Sequence, residues 1–207
     1  MDNFIITIER GYGSHGKRIA KRLAQELGVE YFEDSIAKRA SDMSGLNLDL
    51  FLKMERTPKS GVSKRLEFIE SGNISTGHDQ LKPENLYNIE AKVLRDYAKE
   101  HSMVVAGLTA NRIFKRYPNC LKLNLQVDQK VAVKRIMEYR DEPMEVAEDI
   151  VKRQDQFRTD FYKYFTGHSW RDGKYYDYTI NISTMSEDQV IRIIKLLLAE
   201  KMSGLEK

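Results

Sequence analysis

Apolar residues along this chain fall into short β-branched runs, separated by stretches in which they recur at helical spacing. The first run, residues 4–9 (FIITIE), ends at a glycine-rich turn and predicts a buried strand. Over 17–27, Ile19, Leu23 and Leu27 recur every four positions with Ala20 and Ala24 beside them, and Gly28 follows where a left-handed cap belongs. That stretch predicts a helix, and residues 29–32 (VEYF) a second strand. Patterning weakens from 41 to 83, where short amphipathic pieces (46–54 and 62–69) alternate with polar turns; this predicts a mobile helical insertion over the sheet's edge, spanning about 42–82. A long helix is expected from Pro83 to about residue 101, with Leu86, Ile89, Val93 and Tyr97 on its core face. Residues 103–107, 120–127 and 178–183 read as further strands. Between the last two, Asp128 caps one helix, the polar break RDEPM (140–144) follows, and a second long helix carries Ala147, Ile150, Phe157 and Phe161 on one face. The last helix opens with Ser186 and Gln189 in capping-box spacing.

Strands alternating with helices predict one α/β domain over 1–207: a five-stranded parallel sheet in a three-layer α/β/α arrangement, with no linker or repeat. The 207 residues are 41% hydrophobic and 31% charged, an ordinary globular composition. A net charge of +3, from 34 basic and 31 acidic residues, is too balanced for a nucleic-acid binder and suits small anionic ligands. No apolar run approaches the roughly 18–20 residues that cross a bilayer, so no membrane partner is expected. The start, MDNFIITIERG, lacks the basic and apolar regions of a signal peptide; with a single cysteine, Cys120, in a core-like run, the expected compartment is the cytoplasm. His15, His78, His101 and His168 show no metal-binding spacing.

The chemistry concentrates in GYGSHGKR, residues 11–18, between the first strand and the first helix. Gly11, Gly13, Ser14, His15, Gly16 and Lys17 fit the phosphate-loop spacing G-x-x-x-x-G-K. Glycines let such a loop curl so that its amides point inward at the positive end of a helix dipole, and the lysine reaches terminal phosphates. The residue after the lysine departs from the pattern. Where Ser or Thr would ligate Mg²⁺ stands Arg18, so the metal must be held by other groups or held poorly.

These segments resemble the cytidylate kinase-like family, relatives of the nucleoside monophosphate kinases, over nearly the whole length. The likeness rests on ITIERGYGSHGKRIAKRLAQELGVEYFEDSIAKRAS, VVAGLTANRIF and RQDQFRTDFYKYFTGHSWRDGKYYDYTINIS. It implies ATP with Mg²⁺, small-molecule nucleotide partners, a monomer or homodimer, and phosphoryl transfer to a nucleoside monophosphate such as CMP or dCMP. It further implies acceptor contacts from Glu33, or in the alternative register from Asp34 and Ser35. An arginine-bearing lid over about 139–146, bracketed by Arg135 and Arg140, is implied as well, as are roles for Arg153, Asp155 and Arg158 on the following helix. The plainer readings are a helix cap for Asp34 or Ser35 and a surface pair for Asp155 and Arg158. The family's Gly-Arg after the third strand is Gly107-Leu108 here, with Arg112 one turn on as a replacement. Trp170, Tyr162 and Tyr164 read as core packing. Two rivals follow from the departures at Arg18 and Leu108: a nucleotide-binding pseudo-kinase or regulatory module, and a kinase for another small acceptor.

Overall fold

A computed structural model describes residues 3–33 and 35–205. Five strands, β1 (Ile5–Arg10), β2 (Glu30–Phe32), β3 (Met103–Ala106), β4 (Cys120–Gln126) and β5 (Tyr178–Asn181), form one parallel sheet in the order β2-β3-β1-β4-β5. The helices in chain order are α1 (Gly16–Leu27), α2 (Ile36–Ser44), α3 (Leu48–Arg56), α4 (Leu66–Ser71), α5 (Pro83–Tyr97), α6 (Ala110–Ile113), α7 (Gln129–Arg140), α8 (Met144–Thr166) and α9 (Glu187–Ser203). Side chains alternate along the central strand. Ile6 and Ile8 pack with Ile19 and Leu23 of α1 and Ile194 of α9, whereas Ile5 packs on the other face with Leu94, Val105 and Phe114. The three-layer reading of the sequence is therefore the observed architecture. Gly28 closes α1 in the left-handed conformation, and the Ser186–Gln189 capping box opens α9.

The weakly patterned insertion is helical and packs on α5 and α8 around Phe51, Met54, Ile69, Leu86, Ile89 and Phe165. The backbone of its turns finds side-chain partners on α5, which is buried nearly all round. Asn85 accepts from the Ser75 N–H (2.6 Å) and donates to the Ser75 and Gln80 carbonyls (3.2 and 2.9 Å). Asn88 donates to the carbonyls of Phe68 (2.9 Å) and Asn73 (2.8 Å). Glu84 accepts from the Ser63 and Tyr164 hydroxyls, both at 2.6 Å. The expected lid is a tight corner: α7 ends at Arg140, Asp141 takes a left-handed φ of 55°, and α8 starts at Met144.

Asn88→Ala would leave two carbonyls of the insertion without their donor. We expect a loss of about 1–3 kcal/mol in urea unfolding and faster proteolysis within 57–82. Unchanged stability and cleavage would show that these turns are held by other contacts.

Candidate active site

β1 delivers the glycine-rich loop to the carboxyl edge of the sheet, where parallel α/β proteins present their ligand crevice. Its first half is fixed from outside: Gly11 N–H donates to the Leu125 carbonyl (3.2 Å), and Tyr12 N–H donates to Asp155 Oδ1 (2.7 Å). Gly13 has a φ of 74°, and a Cβ there would lie 2.8 Å from the Ala132 carbonyl oxygen, so only glycine lets α7 approach this closely. Arg135 holds the Gly13 and Ser14 carbonyls on the α7 side (3.3 and 3.4 Å). Buried Ser14 accepts the Gly16 N–H through Oγ (3.1 Å), and His15 sits in the left-handed region at φ 62° just before α1. Such a left-handed residue ahead of helical ones makes a concave nest of amides. The Gly13 and His15 N–H groups have no hydrogen-bond partner among the described residues. They stand at the positive end of α1, which suits an anion.

Lys17, in the first turn of α1, places its ammonium 3.1 Å from Glu33 Oε2. The same carboxylate pairs with Arg10 and accepts the Tyr31 hydroxyl (2.6 Å). Arg18 turns the other way and pairs with Glu187 at the start of α9, beside Arg22 (3.4 Å) and His15 Nδ1 (3.3 Å). Burial, then Arg18 and Arg135, push the His15 pKa below the ordinary imidazole value, so the ring is neutral at neutral pH. Among the described residues no group of three or more His, Cys, Asp or Glu could hold a metal. With Arg18 turned to α9, the loop carries no hydroxyl after Lys17 to ligate a magnesium ion.

Beside the loop, over the ends of β1 and β3, lies a cavity of about 220 Å³. Glu9, Arg10, Glu33, Glu55 and Arg158 charge its wall, and Leu108, Phe157 and Phe161 supply its apolar surface. Arg10 lies over Gly107, where any Cβ would collide with its Nη1. Leu108 and Thr109 follow at φ 56° and 53°, two successive left-handed residues that each cost about 1–2 kcal/mol. Glu9 is 6% exposed, and its Oε1 is buried without a hydrogen-bond partner among the described residues. Burial pushes its carboxyl up to about 7, against the pull of Arg10, Arg158 and the Thr109 backbone. Arg158 reaches in from α8, 3.3 Å from Asp155 Oδ1 and over the Tyr12 ring. Burial, then Arg10, lower its pKa below the ordinary arginine value.

The structure thus places Glu33 and Arg158 in the wall of one cavity at the loop, with Lys17 beside it through its pair with Glu33. Asp155 and Arg135 stand behind the loop: Asp155 accepts from Tyr12 and also from Arg171 (2.8 Å). Trp170 packs beneath Gly11 and donates to Thr159 (3.0 Å), and Tyr162 is buried in the cavity wall. Ser35 stands at the N-cap of α2 without a side-chain cap bond, and Asp34 lies outside the described residues. Arg153 is brought to neither loop nor cavity; its side chain is 68% exposed and pairs with Asp149 (2.9 Å). Arg112 lies over the Tyr175 ring (4.7 Å) and lines a different cavity with Lys115 and Arg116. Glu9 and Arg10 were not singled out from the sequence. Their signal was present: an apolar central strand that closes on two charges just before the loop.

A glycine-rich loop between β1 and α1 on a β2-β3-β1-β4-β5 parallel sheet defines the P-loop fold of the small-kinase type. Residues 5–184 match the model of the cytidylate kinase-like family, and the chain belongs to that family. An uncharacterized protein from Eubacterium ventriosum ATCC 27560 has a similar structure (TM-score 0.72, 19% identity, covering 96% of this chain and 99% of that one). So does a gluconokinase from Sinorhizobium meliloti 1021 (0.52, 12%, covering 99% and 96%). A shikimate kinase from Bacteroides thetaiotaomicron is similar too (0.51, 14%, covering 95% and 98%). At these identities the likeness is one of fold. No protein of curated function matches the sequence.

Because the Glu9 carboxyl rises from 4.5 to about 7 on folding, the fold favours its protonated form. That stabilisation is fully present below pH 4.5 and is lost as pH rises through about 7. Glu9→Gln, fixed as neutral, should therefore unfold at a higher temperature than wild type near pH 8, by up to about 3 kcal/mol. The gap should close toward pH 4. A difference that does not vary with pH in thermal melts would contradict this account of Glu9.

Proposed function

We propose that the protein transfers the γ-phosphoryl group of ATP to a small anionic acceptor held in the cavity beside the loop. One observation carries this: Lys17, Glu33 and Arg10 are in contact along the border of loop and cavity, and Arg158 lines the same cavity. The loop amides and Lys17 would hold the terminal phosphates of ATP. Arg10 and Arg158 would grip the acceptor's anionic group and the oxygens of the phosphoryl group in flight. Phosphoryl transfer asks chiefly for such positioning and charge stabilisation. Magnesium accompanies ATP in kinases of this kind, but Arg18 offers it no ligand, so cationic side chains carry more of the charge here.

A nucleoside monophosphate of the cytidine type is the acceptor that the family's description offers, its phosphate lying between Arg10 and Arg158. A second reading, a small acceptor of another kind, is favoured by Glu9. A phosphate acceptor is already an anion at neutral pH and gives a buried carboxyl nothing to do. Kinases named for gluconate and shikimate share this fold.

Lys17→Met should weaken ATP binding at least tenfold in calorimetry and abolish turnover. Arg158→Lys, which keeps the charge but loses the fork, should lower kcat by about 10²-fold. A coupled assay with CMP, dCMP, UMP and AMP, with and without Mg²⁺, tests the nucleotide acceptor. ATP bound but never turned over, with nucleotides or with small alcohols, would leave a nucleotide-binding module and end the kinase reading.

A further inference from the structure

We infer that the atom receiving the phosphoryl group is a hydroxyl oxygen of a small anionic alcohol, and that Glu9 takes the hydroxyl proton. This rests on the kinase reading above and names its acceptor class. Glu9 is the penultimate residue of β1, next to Arg10 and two residues before Gly11, and its carboxyl faces the cavity against the loop. Of the other interior carboxyls, Glu84 accepts two hydroxyls and Glu33 holds Arg10, Lys17 and Tyr31, whereas Glu90 on α5 is buried against Glu55 and does not line this cavity. Glu9 Oε1 has none among the described residues, although it is buried. A buried acceptor without a donor is costly unless a ligand supplies one.

The surroundings decide which donor. Arg10 from β1 and Arg158 from α8 act on Glu9 directly, and both would repel an ammonium group; a neutral O–H meets no such repulsion. Around it also lie the phenols of Tyr87 on α5, Tyr162 on α8 and Tyr176, each held protonated by burial, and Glu33 and Glu55 line the same cavity. The two guanidiniums require an anionic group elsewhere on the same acceptor. Size points the same way: about 220 Å³ is below the ~300–1,000 Å³ of pockets for drug-sized ligands and suits a hydroxy acid or a phosphorylated alcohol. The left-handed pair Leu108–Thr109 forms part of this cavity's lining, and strain of that kind gathers at sites that work on a ligand.

The step balances. The alcohol oxygen bonds to the γ-phosphorus as the bond from that phosphorus to the β,γ-bridging oxygen breaks. The electron pair of the broken bond leaves with ADP, and the alcohol proton passes to the Glu9 carboxylate and later to solvent. A carboxyl lifted to about 7 is partly ionised at neutral pH, which suits a general base.

The test compares wild type with Glu9→Gln, using ATP with D-gluconate, shikimate, glycerol 3-phosphate or CMP, and identifies products by phosphorus NMR. We expect a phosphomonoester from at least one alcohol. In Glu9→Gln its kcat should fall by ~10²-fold or more while the acceptor KM changes far less. Wild-type kcat should drop on the acid side of pH 7, and that limb should be missing in the variant. Binding of a non-hydrolysable ATP analogue by both proteins shows separately that loop and fold are intact; failure of wild type to bind it sinks the kinase reading itself and this inference with it. If the analogue binds, three results overturn the hydroxyl acceptor alone: a diphosphate from CMP with no alcohol phosphorylated, no product from any of the three alcohols, or Glu9→Gln at the wild-type rate.

Discussion

Glu33 holds Arg10 and Lys17 at the same time, and the working end of the molecule is organised by that shared ion pair. Its three members come from separate elements: Arg10 from the end of β1, Lys17 from the first turn of α1, and Glu33 from just past β2. Taking these charges partly out of water is expensive, and apolar residues of similar volume would often stabilise a fold as well or better. The arrangement makes sense as a device for holding cations where a polyanion is to bind. On the kinase reading proposed above, the Glu33 carboxylate stands in for a phosphate. Incoming phosphate oxygens then exchange one anion for another, which costs less than stripping water from a bare lysine and arginine.

Around this pair the loop is held rigid from three sides. Asp155 on α8 accepts the Tyr12 amide, Arg135 on α7 draws the Gly13 and Ser14 carbonyls outward, and Trp170 packs beneath Gly11. Asp155 and Arg135 therefore act on the loop through its backbone. Such positioning matters because phosphoryl transfer gains most of its rate from fixed geometry. Pre-aimed amides need no reorganisation when the ligand arrives.

The sheet, α1, α5 and α9 were legible because each buries a face at its own period and ends on recognisable caps such as Gly28 and Ser186. The loop was legible through its glycines. The insertion was legible as helical but its packing was not, because the order of its turns comes from Asn85, Asn88 and Glu84 of α5, polar residues whose partners sequence does not name. The charged cavity was half legible. Glu33, Lys17 and Arg158 follow from the family's pattern, but Arg10 and Glu9 sit at the end of an apolar strand, where periodicity predicts only core. Arg112 looked like a substitute for the missing arginine after β3 because it is one turn away in sequence. The left-handed residues Leu108 and Thr109 redirect the chain there, and Arg112 faces Tyr175 instead, while Arg10 covers Gly107.

Arg18 shows how one departure from a motif can redistribute charge without emptying a site. A hydroxyl at this position would face the phosphates; the guanidinium instead clamps α1 to the first turn of α9 through Glu187. That pairing takes a positive charge away from the loop's mouth, and His15 beside it is kept neutral. Little cationic character then remains on the α9 side of the loop. The balance shifts to the opposite side, where Arg10 and Arg158 line the cavity with Glu9 and Glu33, and Lys17 pairs with Glu33. A transferring phosphoryl group is drawn toward that side by charge. On the reading proposed above, the reacting atom of the acceptor lies against it, within reach of the buried Glu9 oxygen that has no donor among the described residues.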